Sequence, residues 1–104
     1  MFHTILHRTA CKSDHRQRHA ALLVKGGRPI RFAYNKNGKH AEHRAIMGIS
    51  LEILKGATIY SFRLAPSGKV ALAKPCEMCE KRLREAKVRK VWYTTDEGWE
   101  MEKL

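Results

Sequence analysis

Residues 74–95 read KPCEMCEKRLREAKVRKVWYTT, and this stretch decides how the chain is organised. Pro75 fits the first position of a helix, and Cys76 and Cys79 then lie three residues apart on one side of its first turn. The free backbone N–H groups and the dipole of a helix start favour the thiolate form that binds metal. The apolar run at 88–95 has the composition of a strand. We therefore predict a helix that begins with two metal-binding thiols and leads into a strand.

Upstream, the sequence predicts a short helix and a β-hairpin. Apolar residues recur at helical spacing over 2–10. The run HAALLVK at 19–25 is strand-like, Gly26 and Gly27 supply turn chemistry, and apolar residues alternate over 30–34. We expect two antiparallel strands joined at the glycines.

The middle of the chain predicts one long helix and another strand. From His40, apolar residues recur with a period near 3.6 until Gly56, where a helix should stop, so we expect about three to four turns. ATIYSF at 57–62 is rich in β-branched and aromatic residues, which favours a strand. We also expect one further helical turn from Asp96. The order α, β, β, α, β, α, β implies a mixed sheet with helices on its faces.

Length and composition bound the class of protein. The 104 residues allow one compact core, so we predict a single domain over 1–104. With 43% hydrophobic and 30% charged residues, the chain is neither disordered nor membrane-like, and no apolar run approaches the ~20 residues of a bilayer span. The amino-terminal segment lacks the features of a secretory signal. We expect an intracellular, cytoplasmic protein that does not bind membranes.

Charge and cysteine usage point to an anionic partner and to a metal. Lys and Arg number 21 against 10 Asp and Glu, a formal net charge of +11, which favours a polyanion such as nucleic acid. Many basic proteins bind no nucleic acid specifically, so charge alone leaves both alternatives open. Three cysteines are an odd number, and two of them lie close together in PCEMC. This pattern argues against a disulfide framework and for reduced thiols on a metal.

A second motif, HAE at residues 40–42, adds a third candidate ligand and a carboxylate to the two cysteines of PCEMC. A CxxC alone is weakly specific, because redox motifs and structural zinc knuckles share it. His40 with Cys76 and Cys79 makes a set of three ligands that favours zinc. Structural zinc sites are normally closed by four protein ligands, whereas catalytic sites leave the fourth position to water. Glu42 is then placed to lean over that water and move its proton without binding the metal.

These motifs give the chain a family resemblance. HAE followed by PCEMC resembles the zinc-dependent cytidine/deoxycytidylate deaminase superfamily, whose signature is HxE and PCxxC. Histidine as the first ligand is most similar to the polynucleotide (AID/APOBEC-like), deoxycytidylate and tRNA deaminases, and residues 67–95 are also similar to toxin- and phage-type deaminases. The resemblance implies a minimal cytidine deaminase-like three-layer α/β fold, with a mixed sheet of about four to five strands and helices on both faces.

The resemblance also implies an uncovered sheet edge, because the family usually continues into a further helix and strand. The residues after Asp96 are too few for both. An exposed strand edge invites pairing with another chain. We expect a monomer or a weak homo-oligomer.

The reaction follows from the same resemblance. Zinc hydroxide would attack the amino-bearing carbon of the ring, while Glu42 accepts the water proton and then protonates the ring nitrogen and the departing ammonia. The product is uracil from cytosine, or hypoxanthine from adenine. Ala41 is the small residue that permits close approach to the metal site.

Substrate contacts are implied at two further places. An asparagine often follows the second strand and contacts the sugar or the base; Asn35 is the best match and Asn37 the second, although the loop is shorter than usual. Trp92, Tyr93 and Thr94 match the loop that reads the base 5′ to the target, where a stacked aromatic contributes ~1 to 3 kcal/mol. We expect Tyr93 to contact the substrate and Trp92 to point into the core.

The remaining histidines and cysteine have simpler explanations. His43 points elsewhere if Glu42 faces the metal, and we interpret it as a surface residue. His3 and His7 lack an acidic or sulfur-bearing partner and fit an exposed helix face. Cys11 fits a small buried apolar residue, as free cysteines usually are.

Together these observations predict a zinc-dependent cytosine deaminase, a hydrolase acting on an amidine C–N bond. Its cofactor is Zn²⁺, and its substrate and partner is single-stranded nucleic acid, with DNA favoured over RNA. Three alternatives stay open: a free (deoxy)cytidylate deaminase, a tRNA adenosine deaminase and a non-catalytic structural zinc module.

Overall fold

A mixed β-sheet carries the fold in this computed structural model, which describes residues 2–104. Within these residues the sheet has six strands, ordered β2-β1-β3-β5-β6, with β4 paired to the end of β3. The strands are β1 (Arg18–Lys25), β2 (Arg28–Tyr34), β3 (Thr58–Leu64), β4 (Val70–Ala71), β5 (Lys90–Thr95) and β6 (Gly98–Lys103). The helices are α1 (His3–Ala10), α2 (Ala41–Ile46), α3 (Leu51–Leu54) and α4 (Glu77–Glu85). Strands β3 and β5 run parallel, and the other described pairs are antiparallel.

Helices lie on both faces of the sheet, which gives three layers. In the described part of the chain, buried side chains form two sets, one on each face. The first set lies between α1 and the sheet: Leu6, Ala10, Ala20, Leu22, Val24, Phe62 and Leu64. The second set lies on the face that α2 and α4 cover: Ala21, Leu23, Ala33, Ala41, Ala45, Leu54, Ala57, Ile59, Ala73, Leu83, Ala86, Val88, Val91 and Tyr93. The predicted α/β class and mixed sheet are confirmed.

None of the helices described over residues 2–104 is both long and apolar enough to cross a membrane.

The long helix predicted from His40 is instead two short ones. α2 ends at Ile46 and α3 begins at Leu51. Gly48 between them has φ +76°, a conformation that glycine adopts without steric cost. Ser50 Oγ accepts a hydrogen bond from Ile53 N at 3.4 Å and caps α3. The prediction was wrong because the apolar spacing continues across this break.

The helical turn predicted after Asp96 is a strand. β6 runs antiparallel to β5, with Trp99 opposite Thr94 and Met101 opposite Trp92. Apolar and acidic residues alternate along GWEMEK, which is the period of two that a strand requires. β5 is therefore covered, and β6 is the outer strand on this side of the sheet.

The two aromatic residues of β5 lie on opposite faces of the sheet. Trp92 is half-buried on the α1 face, parallel to the Tyr60 ring at 6.4 Å between centroids. It lines a cleft of about 210 Å³ with Phe2, His3, Tyr60 and Trp99. Tyr93 is 8% exposed and packs in the core beneath α2 and α4. The expected orientations are thus reversed, because strand alternation turns Tyr93 inward and Trp92 toward a partly open cleft.

Candidate metal centre and active site

Two helix starts meet near one end of the sheet and bring the predicted zinc ligands together. His40 is the N-cap residue of α2, and Cys76 is the N-cap residue of α4. Pro75 therefore precedes α4 instead of opening it. His40 Nδ1 lies 3.7 Å from Cys76 Sγ and 3.2 Å from Cys79 Sγ. The three ligand atoms all lie within 4.8 Å of one another.

These separations fit a zinc ion. With Zn–S near 2.3 Å and Zn–N near 2.1 Å, N and S ligands of a tetrahedral ion lie about 3.5 Å apart. Cys79 is buried, whereas His40 and Cys76 are exposed, so the group is reached from solvent. Burial and then the charge of Glu42 raise the pKa of the Cys79 thiol. A bound cation acts in the opposite direction and favours the thiolate.

A tight turn immediately before α2 places His40. Lys36 and Lys39 exchange backbone hydrogen bonds of 3.2 and 2.9 Å. Between them Asn37 and Gly38 have φ of +52° and +75°, the two positive values that a two-residue Asn-Gly turn uses. Asn37 is exposed at the turn, close in sequence to His40.

Glu42 is buried in the first turn of α2, with its two carboxylate oxygens in different environments. The residue is 1% exposed. Oε1 lies 2.7 Å from His19 Nε2 and accepts a hydrogen bond from Ser61 Oγ at 2.8 Å. Oε2 is buried and has no hydrogen-bond partner among the described residues. Such an oxygen is costly unless a donor meets it. If His40, Cys76 and Cys79 held a zinc ion, a water molecule bound there would supply such a donor.

The surroundings of the Glu42 carboxyl favour its ionised form. Burial raises its pKa, but the charge of His19 and the hydrogen bonds from His19 and Ser61 outweigh burial and lower the pKa to about 2. An ionised carboxylate only accepts hydrogen bonds, so His19 Nε2 carries a hydrogen in this arrangement.

Sequence reasoning missed His19 and Ser61. His19 opens the apolar run of β1 and is 7% exposed, and Ser61 lies fully buried in β3. Their partner Glu42 is distant in sequence, so no short-range spacing connects them. Ser61 Oγ is also 2.8 Å from the Ala73 carbonyl oxygen, an alternative acceptor in the segment that leads to Cys76. The available signal was a histidine directly before the apolar residues 20–24 of β1.

Asn35 binds the backbone of the chain near the start of β1. Its Oδ1 accepts from His19 N at 2.9 Å, and its Nδ2 donates to the Gln17 carbonyl at 2.8 Å. Both ends of the side-chain amide are therefore engaged within the protein. A substrate contact by Asn35 stays a prediction and requires an exchange of these partners.

We expect Asn35→Ala to lower the free energy of unfolding by about 1–3 kcal/mol, because backbone groups at the start of β1 lose their partners. Urea denaturation measures this change. Asn37→Gly, on the exposed turn, is the matched control and should shift stability by less than about 0.5 kcal/mol. Unchanged stability in Asn35→Ala, together with a higher KM, would contradict the structural role and favour the substrate contact.

Three other predicted substrate residues are buried. Ala41 is fully buried at the start of α2. The Tyr93 hydroxyl donates to Glu100 Oε2 at 3.2 Å. Thr94 is 1% exposed, and its hydroxyl donates to the Ala71 carbonyl at 2.8 Å. Their roles toward substrate stay predictions.

His43 and Cys11, which were predicted to lie outside the metal site, differ in their surroundings. His43 contacts the Arg82 guanidinium, and burial followed by the charges of Arg82 and Lys39 lowers its pKa. Cys11 was expected to be buried but is exposed, with its sulfur 3.8 Å from His7 Nδ1. That expectation was wrong because Cys11 is the C-cap residue of α1 and lies beyond the buried residues of that helix.

Comparison with known proteins identifies the family. Residues 1–95 match the family model described as the cytidine and deoxycytidylate deaminase zinc-binding region. The chain belongs to this deaminase family. The matched span contains His40, Glu42, Cys76 and Cys79, and the family is zinc-dependent, so the His-Cys-Cys group is positioned to hold the family's metal. No curated protein matches the chain.

Solved structures of RibD from Acinetobacter baumannii share the fold of this deaminase-family domain. Form 1 is 25% identical over 84% of this chain, with a TM-score of 0.60. Form 2 is 24% identical over 84% of this chain, with a TM-score of 0.58. This chain spans 24% of the RibD chain, about a quarter of its length. The predicted cytidine deaminase-like fold is confirmed.

Proposed function

We propose that this domain hydrolytically deaminates cytosine to uracil in single-stranded nucleic acid, with DNA preferred over RNA. Family membership supports a zinc deaminase. The observation that carries the catalytic role is the Glu42 carboxylate, which is buried beside the His-Cys-Cys group and has one oxygen without a hydrogen-bond partner among residues 2–104.

The chemistry divides between the metal and one side chain. Zinc held by His40, Cys76 and Cys79 would lower the pKa of a bound water to ~7. Glu42 Oε2 would take one proton from the attacking water and pass it to the ring nitrogen, and would then move the second proton of that water to the departing amine. The water oxygen forms the new bond to C4 of cytosine, the C4–N bond breaks, and ammonia leaves.

Cationic side chains form a rim along two depressions beside this site. A depression of about 250 Å³ is lined by Gly38, Lys39, His40, His43, Cys76, Met78, Cys79 and Arg82. A second depression of about 220 Å³ is lined by Lys36, Asn37, Lys39, Arg44 and Met47. Among the described residues that line the two, none is acidic.

The adjoining depressions support a strand as substrate over a single nucleotide. Lys39 lines both of them, so the basic surface continues from the His-Cys-Cys group into the second depression. One nucleotide offers one phosphate group near the target base, whereas a strand places a neighbouring phosphate on the second depression. Single strands are favoured because extruding a base from a duplex costs a few kcal/mol.

Product analysis on matched substrates tests this proposal. The zinc-loaded protein is incubated with mixed-sequence single-stranded DNA, with the same sequence as RNA, and with free deoxycytidylate, and products are identified by mass. We expect cytosine to become uracil fastest in DNA. Equal or faster turnover of free deoxycytidylate overturns the polynucleotide assignment. Hypoxanthine without uracil overturns the base assignment, and a zinc-bound protein with no product from any substrate overturns catalysis.

Salt dependence gives a second test. Each phosphate contact contributes about 0.7 to the log–log slope of single-strand affinity against salt. We expect the triple variant Lys36→Ala, Lys39→Ala, Arg82→Ala to reduce the slope for single-stranded DNA by about 2, measured by fluorescence anisotropy. The charge-matched control changes three exposed cations elsewhere: Lys55, Arg89 and Lys103 to alanine. Equal loss of slope in both variants would show that the rim has no special role.

A further inference from the structure

The two oxygens of the Glu42 carboxylate differ in their hydrogen-bond partners. Oε1 is within hydrogen-bond distance of both His19 Nε2 and Ser61 Oγ, whereas the buried Oε2 has no partner among residues 2–104. A carboxylate that only stabilised the fold would be expected to have both oxygens satisfied, as buried polar groups usually are. Oε1 is therefore held by hydrogen bonds, whereas Oε2 is available to bind a proton donor.

We propose that His19 is a positioning residue, which holds Oε1 of Glu42 so that Oε2 stays available for proton transfer. The inference rests on the proposed catalytic role of Glu42. His19 does not itself contact the ligand atoms of the His-Cys-Cys group, and it acts through Glu42.

The hydrogen-bond geometry at Oε1 fixes the plane of the carboxylate. His19 Nε2 is 2.7 Å from Oε1, Ser61 Oγ is 2.8 Å from Oε1, and His19 Nε2 is 2.6 Å from Ser61 Oγ. The three polar atoms form a closed triangle, and all three residues are buried. Turning the carboxylate plane away from this orientation would break both contacts, so this plane is favoured.

His19 is itself held in place by its neighbours. Its backbone N–H donates to Asn35 Oδ1 at 2.9 Å, and its carbonyl accepts from Asn35 N at 3.1 Å. β1 lies between β2 and β3, so both edges of the strand that carries His19 are paired. The imidazole therefore projects from a rigid element, which is what a positioning group requires.

Two substitutions at His19 test whether its side chain acts as a hydrogen-bond donor or only fills space in the core. His19→Gln places an amide N–H where the Nε2 donor lies, and His19→Leu has a similar volume without a donor. We expect kcat of His19→Leu to fall about 10- to 100-fold, the cost typical of losing a supporting partner at an active site, with KM changed less than about twofold. His19→Gln should recover kcat to within about fivefold of the parent. His7→Leu, on the exposed side of α1, is the control and should leave both constants unchanged.

A spectroscopic readout tests the contact independently of turnover. In zinc-loaded protein labelled with ¹⁵N-histidine, we expect a slowly exchanging proton on His19 Nε2, whose resonance shifts in Glu42→Gln. A fast-exchanging or absent Nε2 proton overturns the proposal. If His19→Leu does not fold, Ser61→Ala removes the second donor to Oε1 and should lower kcat in the same direction, with KM and zinc content preserved.

The outcomes distinguish this inference from the function on which it rests. If Glu42→Gln leaves ammonia release unaffected, the role of Glu42 itself is wrong. If Glu42→Gln is inactive but folded His19→Leu retains the parent kcat, Glu42 keeps its role and His19 loses its own. A His19→Leu variant whose KM rises while kcat is constant would make His19 a substrate contact, which also overturns positioning.

Discussion

Glu42→Gln should abolish ammonia release while leaving zinc bound. Glutamine keeps a side-chain oxygen that can accept from Ser61 and His19, so the buried contacts at Oε1 have a replacement. The amide that replaces Oε2 cannot accept and return a proton. General acid–base catalysis contributes about 10²–10⁴-fold, and we expect kcat to fall by at least that factor.

Three measurements on one preparation check this result: ammonia release with single-stranded DNA, zinc content per chain and thermal unfolding. Glu77→Gln is the matched control, since Glu77 is an exposed glutamate between Cys76 and Cys79. It should retain activity and zinc. An active Glu42→Gln protein would remove Glu42 from the mechanism, whereas a zinc-free or unfolded one would give Glu42 a structural role.

The site was largely predictable because its ligands lie at helix starts. The spacing in PCEMC places two thiols on one side of the start of α4. The spacing in HAE likewise places His40 and Glu42 at the start of α2. The sequence could not show that these helix starts meet. That meeting depends on the sheet order, in which β3 and β5 are parallel neighbours joined through α4.

The residues that hold Glu42 were not predictable in the same way. His19 and Ser61 come from different strands, and their contact with Glu42 arises when β1 and β3 pair and α2 packs over them. In the sequence each is a polar residue next to the apolar residues of its strand. Such a residue indicates a buried polar partner without naming it.

Two errors in the element order have local causes that the sequence does contain. Gly48 and Ser50 mark the end of α2 and the start of α3, but the apolar residues on either side keep helical spacing, and that stronger pattern hid the break. GWEMEK alternates with a period of two and so has the pattern of a strand. The expectation of a helical turn there gave that alternation too little weight.

Cys79→Ser should remove zinc and, with it, the dependence of stability on zinc. Cys79 is 3% exposed and its sulfur lies 3.2 Å from His40 Nδ1, so it is central to the predicted ligand set. A serine hydroxyl fits the space but does not ionise as a thiol does, and zinc binds the ionised sulfur. Losing a residue that only hydrogen-bonds to a metal ligand typically costs about 10- to 100-fold in affinity. Cys79 is itself a predicted ligand, so we expect its loss to lower the affinity for zinc by more than that.

Thermal unfolding with and without a chelator measures this effect. Zinc present at 100 times its Kd stabilises a folded protein by about 2.7 kcal/mol, so a chelator should lower the Tm of the parent protein and leave that of Cys79→Ser unchanged. Cys11→Ser is the matched control, because Cys11 is an exposed cysteine outside the His-Cys-Cys group. It should keep zinc, activity and the response to chelator. A Cys79→Ser protein that retains one zinc per chain would place the metal on other residues, because a site of three protein ligands cannot lose its buried thiolate and hold zinc equally well.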